Sequence, residues 1–265
     1  MGVVNATPDS FSDGGRFLEL PAALGHARAL LAAGADMLDI GGQSTRPGAA
    51  DVPEAEEIAR VVPLITALSA ETAAPISVDT DKPAVARAAM AAGATIWNDV
   101  SALTAAPDSP ETAAELGCSV VLMHRRGDAR SMDTLAHYDD VVAEVADYLA
   151  ARAEAAQAAG VARERIWLDP GLGFAKTTEH NLALLAGLPR ITVLGFPVLV
   201  GASRKRFISR IDPSSRTPAD RLGGSLAAAL AAARAGAAAV RVHDVRETVQ
   251  AFAVQAAIEE AFNTR

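Results

Sequence analysis

Eight short apolar runs, separated by alanine-rich stretches, constrain this chain more than any other feature. The runs lie at residues 2–5 (GVVN), 36–40 (DMLDI), 76–79 (ISVD), 95–98 (TIWN), 119–123 (SVVLM), 166–168 (IWL), 197–200 (PVLV) and 238–242 (AAVRV). The stretches between them, near 20–33, 53–71, 82–92, 110–116, 138–159, 179–187, 219–235 and 245–262, are rich in strong helix formers. Several end on a glycine step (AAGAD, AAGAT, ELGCS, RAGAA), where a helix C-terminus expects one. Strands alternating with helices predict βαβ units and a parallel sheet, and uniformly apolar runs are strands buried on both faces. Eight units predict a single α/β domain over residues 1–265, a closed (β/α)8 TIM barrel. The rival, a doubly wound open sheet, expects a G-x-G-x-x-G loop after its first strand, and none follows GVVN. No linker or low-complexity tract divides the chain. Its longest irregular stretches, 41–52, 124–137 and 201–218, each follow a strand.

Composition narrows the partners. A net charge of −8 argues against nucleic acid. No basic segment precedes a long apolar one, and no apolar stretch reaches membrane-spanning length, so no membrane association is expected. The lone Cys118 lies inside CSVVLM and reads as a small buried hydrophobe. A chain with one cysteine fits a cytoplasmic protein.

Polar residues gather where the apolar runs end. Asn5 follows the first, Asp39 lies in the second, and Asp79 ends the third. Asn98 and Asp99 close the fourth, and His124 and Asp169 follow the fifth and sixth. Ser203, Arg204 and Lys205 follow the seventh; Arg241, His243 and Asp244 belong to the eighth. In a parallel barrel these ends share the face that holds the active site. Helix capping would account for Asp81 or Asp244. It does not account for His124, Lys205, Arg241 and His243, because cations are disfavoured near helix N-termini. The GASRKRFISR stretch, although basic, starts directly after PVLV and so at the barrel mouth. Carboxylates and amides at Asp79, Asn98 and Asp169 suit a ligand edge rich in N–H donors. Arg46, Lys205, Arg241 and His243 suit an anion such as pyrophosphate, and Asn5 offers a carbonyl oxygen to magnesium. Zinc-ligand spacing and a Walker A loop are both missing.

Read together, NATPDSFSDGG (5–15), DIGGQSTRPG (39–48), SVDT (77–80), NDVSA (98–102), LMH (122–124), DPGLGF (169–174), GASRKRFI (201–208) and RVHDV (241–245) resemble the motifs of the dihydropteroate synthases of bacterial folate synthesis, in order and over nearly the whole chain. The resemblance implies a transferase that joins 6-hydroxymethyl-7,8-dihydropterin pyrophosphate to p-aminobenzoate, giving 7,8-dihydropteroate. Pyrophosphate leaves first, and the arylamine then attacks the pterin cation. It implies Asp79, Asn98, Asp169 and Lys205 on the pterin, Arg241 and His243 on the pyrophosphate, Ser203 beside them, and Asn5 on Mg2+. It makes TPDSFSDGG and STRPG two mobile loops, with Phe11, Thr45, Arg46, Pro47 and Phe174 lining the p-aminobenzoate pocket. Asp13, Arg46, Lys205, Arg241 and His243 form the catalytic set.

Four residues depart from the family pattern: Gln43 for Glu, Arg125 and Arg126 where Met is common, and Ala175 for a frequent Gly. Family members usually carry residues before the first strand, so a form with such a segment is expected to melt higher. The resemblance also implies a homodimer through the last helices, at 245–262, and a sulfonamide target, with sensitivity expected because the pocket residues look ordinary. Two alternatives stay open, a pterin-binding methyltransferase and a non-catalytic pterin-binding protein.

Overall fold

The structure, a computed structural model, describes residues 1–6, 16–43, 51–128 and 130–263. Its strands are β1 (Gly2–Asn5), β2 (Leu38–Gly41), β3 (Ile76–Asp79), β4 (Ile96–Asp99), β5 (Ser119–Met123), β6 (Ile166–Asp169), β7 (Leu199–Val200) and β8 (Ala239–Val240). β1 to β6 pair in chain order, all parallel, and β7 pairs parallel with β8. Single parallel bridges at Leu168–Val198 and Gly2–Val242 join the two sets at both edges. The ring therefore closes from the first strand through the eighth and back, which is the expected barrel. At the last seam Met1 N donates to Val240 O at 2.9 Å, and Val3 N to Val242 O at 3.1 Å.

The helices are α1 (Arg16–Ala32), α2 (Glu54–Ser69), α3 (Pro83–Ala91), α4 (Ser109–Leu116), α5 (Val141–Ala158), α6 (Thr178–Ala186), α7 (Pro189–Thr192), α8 (Arg206–Ile211), α9 (Leu222–Arg234) and α10 (Val245–Asn263). The glycines of the four helix-ending steps, Gly34, Gly93, Gly117 and Gly236, all have positive φ, as a left-handed C-terminal stop requires. One apolar layer lies between strands and helices, with Leu38, Ile40, Val78, Trp97, Val120, Leu122 and Leu168 at its centre. A separate cluster of Met1, Ile96, Val121 and Leu199, backed by Met37, Trp167 and Ala239, fills the ring. Side chains alternate faces along a strand. Two residues beyond Met37, Ile96, Trp167 and Ala239, the same inward face therefore carries Asp39, Asn98, Asp169 and Arg241.

Three local expectations are corrected. The apolar runs at 197–200 and 238–242 form ladder only at Leu199–Val200 and Ala239–Val240. The stretch 201–218, expected to be irregular, holds α8, and the short α7 follows α6 where one helix was expected. Helix capping does not explain Asp81, whereas Asp244 directly precedes α10 and its carbonyl oxygen accepts from Thr248 N at 3.1 Å. Pro83 occupies the first turn of α3, which moves the cap to Lys82, and Asp81 instead takes Arg125 Nη2 at 3.0 Å. Asp244 accepts two bonds from Arg204, at 2.5 and 3.0 Å.

Candidate active site

The inward face of β2 to β4 supplies an acidic wall. Arg241, just past β8, reaches across the ring to it. Its Nε donates to Asp39 Oδ2 at 2.5 Å and its Nη2 to Asp79 Oδ2 at 2.9 Å. Asn98 Nδ2 donates to the same Asp39 oxygen at 3.2 Å. Burial pushes the Asp79 carboxyl up to about 7; Arg241 opposes this, and the Asp39 carboxylate adds to it. Burial alone would weaken the charge on Arg241. Asp39 and Asp79 outweigh it and hold the guanidinium more firmly protonated than in water. Asp39 Oδ1, Asp79 Oδ1 and Ser77 Oγ are buried with no hydrogen-bond partner among the described residues. Buried acceptors in that state are costly until a donor meets them.

The opposite wall, built on the ends of β5 to β8, carries the cations. Lys205 donates from Nζ to Leu172 O, and its Nζ lies 4.6 Å from the Phe174 ring centroid. Burial lowers Lys205 to about 8, with Asp169 acting against that shift. Burial in turn raises Asp169, and Lys205 opposes the rise. The two charges thus act on each other within one low-dielectric space. Asp169 Oδ1 also accepts from Gly171 N at 2.7 Å. A Cβ on Gly171 would stand 1.9 Å from His124 O, so only glycine lets the loop after β6 lie against the end of β5. Ser203 Oγ lies 3.0 Å from His243 Nδ1 and accepts from His243 N at 3.2 Å, which fixes that ring beside the loop after β7.

Behind Phe174 lies a residue that sequence reasoning missed. Lys176 Nζ donates to Phe174 O at 3.0 Å and sits 2.9 Å from His124 Nδ1. Burial, then the nearby Lys205 charge, pulls Lys176 well below the usual lysine range. Burial and the Lys176 charge take His124 down to about 3, so it is a neutral ring. Nothing in GFAKTT marks this lysine as buried. Asp39 was also left without a role, although its signal was present: a carboxylate inside an apolar run, in phase with the inward face.

Asp99 is turned away from the ring. Its two oxygens accept from Ser101 N at 2.7 Å and Leu103 N at 2.9 Å and hold a turn in which Ala102 and Leu103 have φ of 56° and 60°. Cys118 is buried, and burial pushes its thiol up, away from nucleophilic use. The departures from the family pattern find partners. Lys82 Nζ donates to Gln43 Oε1 at 2.5 Å and to Glu57 Oε2 at 2.8 Å. Arg125 pairs with Asp81; Arg126 pairs with Glu144 at 2.6 Å and lies over the Tyr138 ring. Ala175 adopts φ of 50°, the left-handed region that glycine favours.

Phe11, Asp13, Thr45, Arg46 and Pro47 lie outside the described residues. The other expected side chains, Asp79, Asn98, Asp169, Phe174, Ser203, Lys205, Arg241 and His243, stand at the C-terminal ends of the strands, where a parallel barrel keeps its chemistry. Asn5 ends β1 at the same face.

The chain is thus a parallel barrel whose rim sets buried carboxylates against lysine and arginine; residues 1–243 match the family model described as pterin binding enzyme, and the chain belongs to that family. Within it, relatives of this chain include dihydropteroate synthases. The dihydropteroate synthase of Synechocystis is 46% identical, the match covering 94% of this chain and 86% of that one. The Xanthomonas albilineans dihydropteroate synthase, solved with 4-aminobenzoic acid, superposes with a TM-score of 0.92 at 52% identity, covering 97% of this chain and 92% of that one. The Yersinia pestis dihydropteroate synthase, solved as a sulfonamide drug complex, superposes with a TM-score of 0.91 at 44% identity, covering 98% and 93%.

Proposed function

We propose that the cup joins 6-hydroxymethyl-7,8-dihydropterin pyrophosphate to p-aminobenzoate, giving 7,8-dihydropteroate and pyrophosphate. The observation that carries this reading is the meeting of Arg241 with Asp39 and Asp79 across the ring from the Lys205–Asp169 pair. Asp79, Asn98 and Asp169 present acceptors to the N–H edge of the pterin, and the unpartnered Asp79 Oδ1 takes one of its donors. Lys205, half-charged near pH 8, donates to a pterin acceptor. Arg241 and His243 hold the pyrophosphate, with Ser203 orienting the His243 ring. The C–O bond to pyrophosphate breaks with its electron pair leaving on oxygen. Cations on that wall stabilise the charge where it develops. The amine nitrogen of p-aminobenzoate then attacks the pterin methylene cation and gives up its proton to the departing anion or water. Phe174 walls the amine's approach. Phe11, Asp13, Thr45, Arg46 and Pro47 are assigned to the same pocket by their motifs alone.

Mg2+ fits the donor set. Among the described residues no three His, Cys, Asp or Glu side chains gather as a metal cage, and Asn5 offers one carbonyl oxygen. That is the sparse protein ligation of an ion bound mainly by substrate phosphates. When bound, it neutralises the leaving group.

The remaining assignments belong to the same proposal. Among the described residues no helix is long and apolar enough to cross a membrane, and the expected location is the cytoplasm. The chain acts as one domain and pairs as a homodimer through α10, which exposes Val249, Val254, Ile258 and Phe262. The sulfonamide carried by the Yersinia pestis relative supports competition with p-aminobenzoate here.

The decisive experiment supplies both substrates and Mg2+ and follows pyrophosphate release together with dihydropteroate formation. Equal amounts of both products are expected, with inhibition by a sulfonamide. Pterin binding without pyrophosphate release would leave only a binding protein, and methyl transfer to a different acceptor would make it a methyltransferase.

A further inference from the structure

Asp39 has been given no role in the reaction, yet it touches more of the site than any other carboxylate. It is fully buried in the middle of β2. One oxygen, Oδ2, accepts from Arg241 Nε at 2.5 Å and from Asn98 Nδ2 at 3.2 Å. Those partners are separated from it by 202 and 59 positions in the chain. Both contacts have chemical consequences. A carboxylate only accepts, so Asn98 must turn its NH2 towards Asp39. Its carbonyl oxygen is then the atom left for a ligand, which makes Asn98 an acceptor like Asp79 and Asp169. Arg241 has its Nε edge pinned by Asp39 and one Nη2 bond taken by Asp79. The guanidinium plane is thereby fixed from two directions, and its other N–H donors keep a set orientation.

We propose that Asp39 is a positioning residue, which sets the polarity of Asn98 and the plane of Arg241 so that the cup presents acceptors to the pterin and donors to the anion. This rests on the substrate reading given above, which assigns those two partners to pterin and pyrophosphate. Asp39 itself touches neither substrate in this account. The isosteric change Asp39→Asn removes the charge and offers Asn98 an amide of either orientation, so both settings are lost while shape is kept.

The test uses the full chain with Mg2+, varies each substrate separately, and adds calorimetric binding of 6-hydroxymethylpterin. In Asp39→Asn the KM for the pterin pyrophosphate is expected to rise by roughly 100-fold and pterin binding to weaken in step, the scale of breaking one partner of a buried, hydrogen-bonded charge pair. The KM for p-aminobenzoate stays within about twofold, since that pocket is built from other residues. A merely structural role for Asp39 would lower the amount of folded enzyme and leave both KM values where they were. That result overturns the proposal. If Asp39→Asn does not fold, Asp39→Glu replaces it, keeping the charge but moving it by one methylene. The same selective rise in the pterin KM supports the proposal, and unchanged KM values overturn it. Arg241→Met serves as the reference. If it turns over like the parent, the substrate reading has failed. If it is impaired while Asp39→Asn is not, only the role of Asp39 has failed.

Discussion

The two walls of the cup treat charge in opposite ways. On the β2–β4 side, carboxylates face inward and burial drives Asp79 up to about 7. On the β5–β8 side, burial drives Lys205 down to about 8 and pulls Lys176 well below the usual lysine range. In water these groups would be far apart in pKa. Here acid and base are brought to within about one unit of each other near neutrality. The lesson is that burial dominates both values, and that the acidic wall acts on the cationic one through the Asp79 charge on Lys205. A second contrast sharpens the first. Lys82, partly exposed and ringed by Gln43, Val52, Glu57 and Asp51, is held above its usual value, although burial pulls against this. Lys176, buried with only neutral acceptors among the described residues, falls. The sign of a lysine's shift follows its partners and burial, not its place on the barrel.

The comparison predicts its own failures. The largest expected effect is on the cationic wall. Lys205→Met removes a donor and the partner of Asp169, and kcat/KM for dihydropteroate formation should fall roughly 10²–10³-fold. Steady-state kinetics on the folded variant check it, and a loss below tenfold would break the two-wall picture.

A middle-sized effect lies on the acidic wall, in stability. Folding raises Asp79 from its ordinary value of 3.8 to about 7, so the native state holds a proton that the unfolded state has released between those pH values. Stability from this group is therefore present at low pH and lost as pH rises through that window. Asp39, Asp79 and Arg241 together carry one surplus buried negative charge. Asp79→Asn removes it and leaves Arg241 paired with Asp39. At pH 8 the variant should melt about 5 °C higher than the parent, with the gap closing towards pH 4, while turnover falls. Thermal unfolding followed across pH tests the sign. A variant less stable at pH 8 would show that the Arg241 bond outweighs the burial penalty.

The smallest effect is at Ala175, between the walls. Gly there relieves a left-handed φ and loosens the unfolded chain, two opposing changes of about 1 kcal/mol each. Ala175→Gly should shift the denaturant midpoint by less than about 1 kcal/mol in stability and leave both KM values unchanged.

Much of this architecture was legible in the sequence because it is written in short-range pattern. Strand number, the order of units and the glycine stops come from residues a few positions apart. The rim chemistry was legible because a parallel barrel brings every strand end to one face. The bonds among those residues were not. Arg241 announces a cation but not that it grips Asp39 from across the ring, since nothing local links positions so distant. Asp81 looked like a cap until Pro83 moved the cap one residue on. Lys176 gave no signal at all, because its burial is decided by Phe174 and His124, which lie on two different loops. The short ladders at β7 and β8 were overestimated because apolar character marks burial rather than main-chain pairing.

Those short ladders have a consequence for release. The arc from Val198 to His243 carries Ser203, Lys205, Arg241 and His243, and it meets the six-strand sheet at the single bridges Leu168–Val198 and Gly2–Val242 with a few main-chain bonds around each. The side chains proposed to meet the leaving anion, Arg241 and His243, thus sit at the end of a two-strand stave with short ladders. Small outward give there would pull directly on the Arg241 bonds to Asp39 and Asp79, and main-chain amides along its two joints should trade deuterium sooner than those of β2 to β5.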